Sequence, residues 1–334
     1  MGSAIKKSGY NYCLDFIKGI ACICVVLMHC EFPGMLGIIV QTISRFCVPF
    51  FFMVSGYFCY YEDKSRARST WLKIGHILKI TAAASLFYLV VQIISAKITG
   101  GALNVGAGNI FNLIVFNQPF IIAGQLWFLF ALLYVYLMYA LVEKLNIYKL
   151  AYAMIPVLIL VYIAMAQGAY LMGKHIPNMY YRNFLIEGFP LFMLGHWIHK
   201  NKDRIKLSNS ALIAVIAIST LLCIAERFIM VRDFGVNICT FTQVTAIFLY
   251  GINNPEKHEG AVQRLGKNCS MLVYILHPFV WHMMEYIYSA AGIAENTAAL
   301  YIMPVLVAAV SIGLAVICNS VSAQVKKIRG KQNA

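Results

Sequence analysis

The chain has 334 residues, of which 61% are hydrophobic and only 12% are charged, and its mean hydropathy is +0.73. Soluble domains carry about 25% charged residues, so this composition excludes a soluble globular protein and predicts an integral membrane protein. The net charge of +14 suits loops that face anionic lipids. No aromatic RNA-binding motif or zinc-finger spacing accompanies it, so nucleic acid is not an expected partner.

Apolar segments long enough to cross a bilayer recur along the whole chain, since a spanning helix needs about 20 apolar residues. They predict an all-α, polytopic transmembrane bundle of about ten spans in a single membrane domain, residues 1–334. In chain order the segments are 14–31, 41–61, 74–95, 121–142, 150–172, 183–199, 209–228, 236–252, 271–290 and 298–320. The stretch 101–120 is rich in glycine and asparagine, and we expect a loop with a short interfacial or re-entrant helix there.

Basic residues in the connections predict the orientation. With ten spans, nineteen lysines and arginines fall in the connections on the N-terminal side of the membrane and five on the opposite side. The nineteen include Lys6, Lys7, Lys64 and Arg66. Because basic residues are enriched in cytoplasmic loops, we expect both termini in the cytoplasm.

One face of the first span carries three ionisable side chains, in the run LDFIKGIACICVVLMH. A charge near the bilayer centre costs about 3 kcal/mol or more, so such residues are functional candidates. Lys18 and His29 are eleven residues apart, about three helical turns, and project in nearly the same direction. Asp15 lies one turn before Lys18 and can pair with it. The alternative is that Asp15 and Lys18 snorkel to one interface and that His29 lies at the other.

The second span contains the sequence RFCVPFFFMVSGYF. Arg45 is always charged and lies near the outer end of the span. Pro49 is expected to kink the helix and to free a backbone carbonyl. Ser55 and Gly56 allow close approach of a neighbouring helix. The alternative is a kinked packing helix whose arginine snorkels.

Three further groups could take part in chemistry or binding. Lys73, His76 and Lys79 follow one another at three-residue spacing, either as a phosphate site or as the amphipathic start of a helix. Glu187 lies inside the sixth span and needs a partner or a proton. Glu226 lies at the outer end of the seventh span, where it lines an acceptor site or forms an ordinary solvated ion pair.

The ninth span presents a polar and aromatic stripe at helical spacing, in the run SMLVYILHPFVWHMMEY. Such a stripe should face the bundle interior or a water-filled cavity, and the alternative is a hydrogen-bonded packing seam. Pro278 is expected to kink the helix beside His277. The members of the stripe are Ser270, Tyr274, His277, Trp281 and Glu285.

The ten cysteines show neither Cys-x-x-Cys pairs nor zinc-ligand spacing, so we expect small packing residues rather than a metal site. The first apolar run is not expected to be a cleaved signal, because it contains Asp15 and Lys18 and no small-x-small site follows it.

Taken together, four stretches resemble the acyltransferase 3 family of multi-pass bacterial membrane proteins, and also the membrane half of vancomycin-resistance serine racemases. The stretches are LDFIKGIACICVVLMH (14–29), RFCVPFFFMVSGYF (45–58), QLWFLFALL (125–133) and GKNCSMLVYILHP (266–278). FPLFMLGHWI (189–198) resembles the family's short FxxG-type helix. The family's basic-residue-x10-His motif falls on Lys18 and His29, with lysine in place of the usual arginine. Its Arg-x-x-Arg pattern falls on Lys73, His76 and Lys79.

The resemblance implies a membrane O-acyltransferase of the bacterial inner, or plasma, membrane. It would move an acyl group, often acetyl, from cytoplasmic acyl-coenzyme A to a hydroxyl of an envelope glycan, without a tightly bound cofactor. In this mechanism His29 deprotonates the acceptor hydroxyl, and Arg45 or Tyr274 stabilises the oxyanion. The expected catalytic residues are Asp15, Lys18, His29, Arg45, Tyr274 and His277. The expected coenzyme A ligands are Lys18, Lys73, His76 and Lys79. The expected acceptor-binding residues are Ser55, Trp127 and Glu226.

Two other functions stay open on the sequence alone. Intramembrane histidine, glutamate and arginine also serve as proton relays in transporters for small polar solutes, although the two halves of the chain show no internal repeat. The second is a non-catalytic membrane scaffold, which would keep the family's fold although its basic motifs differ from the family's pattern. Self-association is also left open.

Overall fold

Residues 10–62, 67–99, 106–119 and 124–332 are described by the computed structural model, and every regular element in these ranges is helical. The α-helices in chain order are α1 (Tyr12–His29), α2 (Gly34–Ser44), α3 (Cys47–Tyr57), α4 (Ala67–Thr99), α5 (Ala107–Phe116), α6 (Trp127–Leu145), α7 (Tyr148–Ile163), α8 (Ala169–Leu171), α9 (Phe189–Asn201), α10 (Asn209–Met230), α11 (Thr240–Asn253), α12 (Ala261–Asn268), α13 (Ser270–Ala290) and α14 (Thr297–Gln332). A π-helical turn, Ala164–Gly168, joins α7 to α8, and another, Phe184–Gly188, leads into α9. The prediction of an all-helical protein is confirmed.

Seven helical stretches within these ranges are long and apolar enough to cross a membrane, so the chain is a multi-pass membrane protein. They are Tyr12–His29, Gly34–Tyr57, Ser69–Ile98, Gly124–Leu145, Tyr148–Leu171, Asn209–Met230 and Thr297–Lys326. The other three predicted spans coincide with the helical stretch 184–201, with α11 and with α13. A count of ten spans and the orientation therefore stay predictions. Of the basic residues used for orientation, Lys6, Lys7, Lys64 and Arg66 lie outside the described residues.

The predicted span 41–61 consists of two helices. The helical run begins at Gly34 and is interrupted at Arg45 and Phe46, between α2 and α3. Pro49 is the third residue of α3 and has no N–H to offer the carbonyl of Arg45, four residues earlier. The break therefore lies where proline removes a helical hydrogen bond. In the predicted polar stretch 101–120, a short helix is present as expected, α5.

The chain divides into two compact units. The first comprises Met1–Cys47, Leu207–Ile229 and Cys239–Ala334, and the second comprises Val48–Lys206 and Met230–Ile238. The single domain predicted over residues 1–334 stays a prediction.

In the first unit α1 is the central helix and contacts α2, α11, α12, α13 and α14. Its tightest contact is with the short helix α12, where glycines allow the two backbones to touch. A Cβ atom on Gly19 would lie 2.1 Å from the carbonyl oxygen of Val262, and one on Gly266 would lie 1.9 Å from that of Asp15. The polar residues of α1 are therefore surrounded by protein on several sides.

In the second unit α3 and α9 cross at a second pair of glycines. A Cβ atom on Gly56 would lie 1.8 Å from the carbonyl oxygen of Phe192, and one on Gly195 would lie 2.0 Å from that of Met53. The close helix approach predicted at Ser55 and Gly56 is confirmed. The Phe-x-x-Gly pattern of α9, Phe192 to Gly195, is therefore explained by packing, because the backbone of these residues contacts α3 directly.

The helical stretch leading into α9 depends on Asn183, which is 5% exposed. Its Oδ1 accepts hydrogen bonds from the backbone N–H groups of Leu185 and Ile186, both at 3.0 Å. Its Nδ2 donates to the carbonyls of Met179 and Tyr180. One side chain therefore satisfies backbone groups on both sides of the helix start.

Asn183→Ala is expected to lower the free energy of unfolding by about 1–2 kcal/mol, since it removes the cap and the part-buried hydrogen bonds that the side chain makes to the backbone. The measurement is the thermal unfolding midpoint of the purified protein in detergent. Asn201→Ala is the matched control, because its amide makes one exposed hydrogen bond to the carbonyl of Trp197. Equal midpoints for the two variants would contradict the capping role.

Candidate active site

Two histidines stack at the C-terminal end of α1. The rings of His29 and His277 have centroids 5.3 Å apart and planes inclined by 23°. His277 is fully buried, and its Nδ1 lies 3.3 Å from the carbonyl oxygen of Val273. A carbonyl can only accept, so Nδ1 carries the hydrogen and Nε2 of the neutral ring presents a lone pair. Nε2 is buried and has no hydrogen-bond partner among the residues that the structure describes.

A buried arginine and a tyrosine accompany the pair. Arg45 is 7% exposed, and its Nη1 donates to Sδ of Met28, the neighbour of His29, at 3.2 Å. The Tyr274 ring lies 6.1 Å from that of His277 on α13. Four of the predicted catalytic residues are therefore found around the same end of α1, although the contact through Met28 was not foreseen.

Asp15 and Lys18 form the predicted ion pair at the opposite end of α1. The hydroxyl of Tyr10 also donates to Asp15, and Gln263 Nε2 donates to that hydroxyl oxygen at 2.7 Å. Loss of solvent raises the pKa of the Tyr10 phenol, and the hydrogen bond and charge of Asp15 raise it further. Eleven residues of helix correspond to about 16 Å, so this polar cluster and His29 are separate sites on one helix.

The predicted acceptor-binding residues are divided between the two units. Glu226 is half-buried on α10 in the first unit. Ser55 is in the second unit, and its hydroxyl donates to the carbonyl of Phe51 in its own helix at 2.8 Å. Trp127, also in the second unit, is 6% exposed and lies under the guanidinium of Arg182, which is 4.7 Å from a ring centroid.

Glu187, which lacked an assigned partner in the sequence, lies among aromatic and basic residues of the second unit and is 1% exposed. Burial raises the pKa of nearby Tyr181; the cations of Arg232 and Arg182 oppose this shift, whereas Glu187 adds to it. Glu187 therefore lies within electrostatic reach of the same tyrosine as two arginines. The sequence did not indicate this cluster, because Arg232 lies 45 residues after Glu187 and only the packing of the chain brings them near the same tyrosine.

A cleft of about 600 Å³ opens in the second unit beside the C-terminal end of α3. Its described lining residues are Phe58, Tyr60, Tyr61, Glu62, Lys73, His199 and Lys202. Of the predicted coenzyme A ligands in this unit, Lys73 lines the cleft, whereas His76 and Lys79 are exposed and are not among the described lining residues. His199 and Lys202 were not predicted, because His199 was interpreted only as the last residue of the span 183–199 and Lys202 only through the positive-inside rule.

A family model described as an acyltransferase domain, Acyl_transf_3, matches residues 11–320. The chain belongs to the acyltransferase 3 family. No curated protein and no solved structure matches it. Family membership makes the chain an acyltransferase that transfers groups other than amino-acyl groups, and the apolar helices make it a membrane acyltransferase.

The family match extends over both compact units, so the stacked histidines and the cleft both belong to the acyltransferase region. The family's basic-residue-x10-His motif lies on α1, with Lys18 paired to Asp15 and His29 stacked on His277. The two halves of this motif therefore have different surroundings, and different roles are expected for them.

Proposed function

We propose that the protein transfers an acyl group, acetyl in the first instance, from cytoplasmic acyl-coenzyme A to a hydroxyl of an envelope glycan, with His29 as general base. Family membership supports acyl transfer. The observation that carries the finer proposal is the stacked pair of His29 and His277, in which one buried nitrogen has no protein partner among the described residues. Histidine titrates near neutrality and suits proton transfer from a hydroxyl.

The reaction is a direct transfer. His29 takes the proton of the acceptor hydroxyl while the oxygen of that hydroxyl attacks the carbonyl carbon of the thioester. The resulting oxyanion is stabilised by the guanidinium of Arg45 or the hydroxyl of Tyr274. Collapse of the tetrahedral intermediate breaks the carbon–sulfur bond, and the coenzyme A thiolate leaves and takes up a proton. The products are the acyl ester and free coenzyme A.

His277 is assigned to acceptor binding in this mechanism. A buried polar atom without a hydrogen bond costs about 1–3 kcal/mol, and a second hydroxyl of the acceptor can donate to Nε2 and remove that cost. A glycan offers neighbouring hydroxyls, so one can hold the acceptor while the other reacts at His29. This arrangement favours a polyol over an acceptor with a single hydroxyl.

Lys73 is the residue we propose for the donor phosphates, since it lines the cleft of the second unit. Lys18, His76 and Lys79 stay predicted donor ligands, and Ser55, Trp127 and Glu226 stay predicted acceptor ligands. The proposed location is the bacterial plasma membrane with both termini in the cytoplasm. Acyl-coenzyme A acts there as a co-substrate rather than a resident cofactor.

The test uses purified protein in nanodiscs with radiolabelled acetyl-coenzyme A and extracted envelope glycan. The expected result is label in the glycan and release of one free thiol for each acetyl group transferred. Absence of both turnover and coenzyme A binding would contradict the proposal. Proton-coupled uptake of a solute into vesicles would then favour the transporter alternative.

A further inference from the structure

Two fully buried polar groups of the first unit have no hydrogen-bond partner among the residues that the structure describes. They are Nε2 of His277 on α13 and the hydroxyl of Ser311 on α14, and both side chains are 0% exposed. Most buried polar side-chain atoms in proteins have a hydrogen-bond partner, and a buried group without one is unfavourable. Because the described side chains supply no partner, each group is a candidate contact for a polar ligand.

The packing of α13 against α14 brings the two groups to the same level of the first unit. The helices are joined by the short connection 291–296, and α14 also contacts α12, the helix before α13, so the pair is antiparallel. His277 lies thirteen residues before Ala290, the last residue of α13. Ser311 lies fourteen residues after Thr297, the first residue of α14. At 1.5 Å per residue, their positions along the paired helices differ by only about 1.5 Å.

Both side chains face protein rather than lipid. Ser311 belongs to a buried stripe of α14, which contacts α1 as well as α13, and α1 meets α13 at the stacked rings of His29 and His277. Packed helix axes lie about 8–10 Å apart, so Ser311 and the histidine pair face one space between α1, α13 and α14, the three-helix pocket. The members of the stripe are Met303, Val307, Ala308, Ser311 and Ala315.

The two groups have complementary hydrogen-bonding requirements. The neutral His277 ring presents only a lone pair at Nε2, because its Nδ1 donates to the carbonyl of Val273. The Ser311 hydroxyl has a hydrogen to donate. One alcohol group can donate to Nε2 and at the same time accept from Ser311, whereas an ammonium group has no lone pair with which to accept. The three-helix pocket therefore favours a hydroxyl over a charged amine.

We infer that Ser311 is an acceptor-binding residue, and that Ser311 and His277 together hold one non-reacting hydroxyl of the acceptor beside the hydroxyl that His29 deprotonates. The identity of the acceptor rests on the proposed function, whereas the two unpaired buried groups do not. The acceptor is then a polyol with a free hydroxyl next to the reacting one, and a charged amine at that position makes a poor acceptor. A buried water molecule offers the same hydrogen bonds as a hydroxyl, and the experiment separates the two.

The experiment measures glycan binding by calorimetry and acetyl transfer by initial rates, both in nanodiscs with extracted envelope glycan. Ser311→Ala is expected to raise the glycan dissociation constant and the KM for glycan about fivefold, as for loss of one hydrogen bond, with kcat nearly unchanged. Ser311→Thr keeps the hydroxyl and should bind glycan nearly as well as the wild type. Ser320→Ala is the matched control, since Ser320 is exposed on α14 and its hydroxyl donates to the carbonyl of Val316 at 2.8 Å.

The combination of Ser311→Ala with His277→Ala tests whether the two side chains share one hydroxyl. Residues that share a partner show non-additive effects, whereas independent contacts add. The combined variant should therefore weaken glycan binding by less than the product of the two single effects. An effect equal to that product would mean that the two residues make separate contacts, and it would overturn the shared hydroxyl.

The outcomes separate the inference from the proposed function. Glycan binding that depends on Ser311, without acetyl transfer, would support the three-helix pocket and contradict the transferase proposal. Acetyl transfer with unchanged glycan binding and KM in Ser311→Ala would overturn the pocket and leave the transferase proposal standing. A lower unfolding midpoint for Ser311→Ala with unchanged glycan binding would also overturn it, in favour of a structural water molecule. Absence of both binding and transfer in the wild type would contradict both.

Discussion

His29→Ala is expected to lower acetyl transfer to glycan by about a thousandfold while coenzyme A binding stays at the wild-type level. A positioned general base contributes roughly 10²- to 10⁴-fold, and alanine cannot accept the proton. Donor binding should survive because the proposed donor cleft is built from other residues. The measurement is the initial rate of label transfer in nanodiscs, with the coenzyme A dissociation constant measured on the same preparation.

His29→Gln serves as the matched variant, because glutamine keeps a polar side chain but cannot act as a base near neutral pH. It should be as inactive as the alanine variant. His277→Ala should raise the KM for glycan more than it lowers kcat, since His277 is assigned to acceptor binding. A nearly inactive His277→Ala together with an active His29→Ala would reverse the two assignments. Both variants need an unfolding midpoint close to that of the wild type for the comparison to hold.

Local periodicity was sufficient to find the polar residues of α1. The pairing of Asp15 with Lys18 depends only on helical spacing, and the structure confirms it. The stacking of His29 on His277 joins residues 248 positions apart. Each histidine was identified separately as a candidate from its own helix, but their contact depends on how α13 packs against α1. Periodicity within a helix contains no information on that packing.

The cleft is a second feature that periodicity within a helix could not predict, because its lining residues come from distant parts of the chain. Lys73 was identified from the basic spacing of its own stretch, whereas Lys202 lies 129 residues later in a connection with several basic residues. Positive-inside counting treats all lysines of a loop alike, so it could not separate Lys202 from Lys206. The structure separates them, because Lys202 lies in the lining of the cleft beside the end of α3, whereas Lys206 is not among the described lining residues.

Packing glycines were only partly visible in the sequence. Ser55 and Gly56 were interpreted as a close-approach site, and the contact of Gly56 with the Phe192 backbone confirms this. Gly19 and Gly266 were not identified. Gly19 has no small residue four positions before or after it, and the small-x-x-x-small spacing of Gly266 with Ser270 was interpreted only as part of the polar stripe of the ninth span. Their contact joins α1 to α12, the helix that precedes the histidine-bearing α13.

Gly266→Ala is expected to lower the free energy of unfolding by about 3 kcal/mol or more, at the upper end of overpacking costs. The new methyl group would lie 1.9 Å from the carbonyl oxygen of Asp15 and 2.4 Å from the backbone nitrogen of Gly19. Both neighbours are backbone atoms of a helix, so no rotamer change can relieve the clash, and α1 and α12 must separate. Thermal unfolding in detergent, followed by size-exclusion chromatography, measures the loss.

Gly313→Ala in α14 is the matched control, since a Cβ atom there meets nothing within 4 Å. Alanine favours a helix by about 1 kcal/mol over glycine, so this variant should be as stable as the wild type or more stable. Equal stability of the two variants would mean that α1 and α12 can move apart at little cost. A large difference would indicate that the stretch GKNCSMLVYILHP begins with glycine for packing, and that its chemistry starts further along, at Tyr274 and His277.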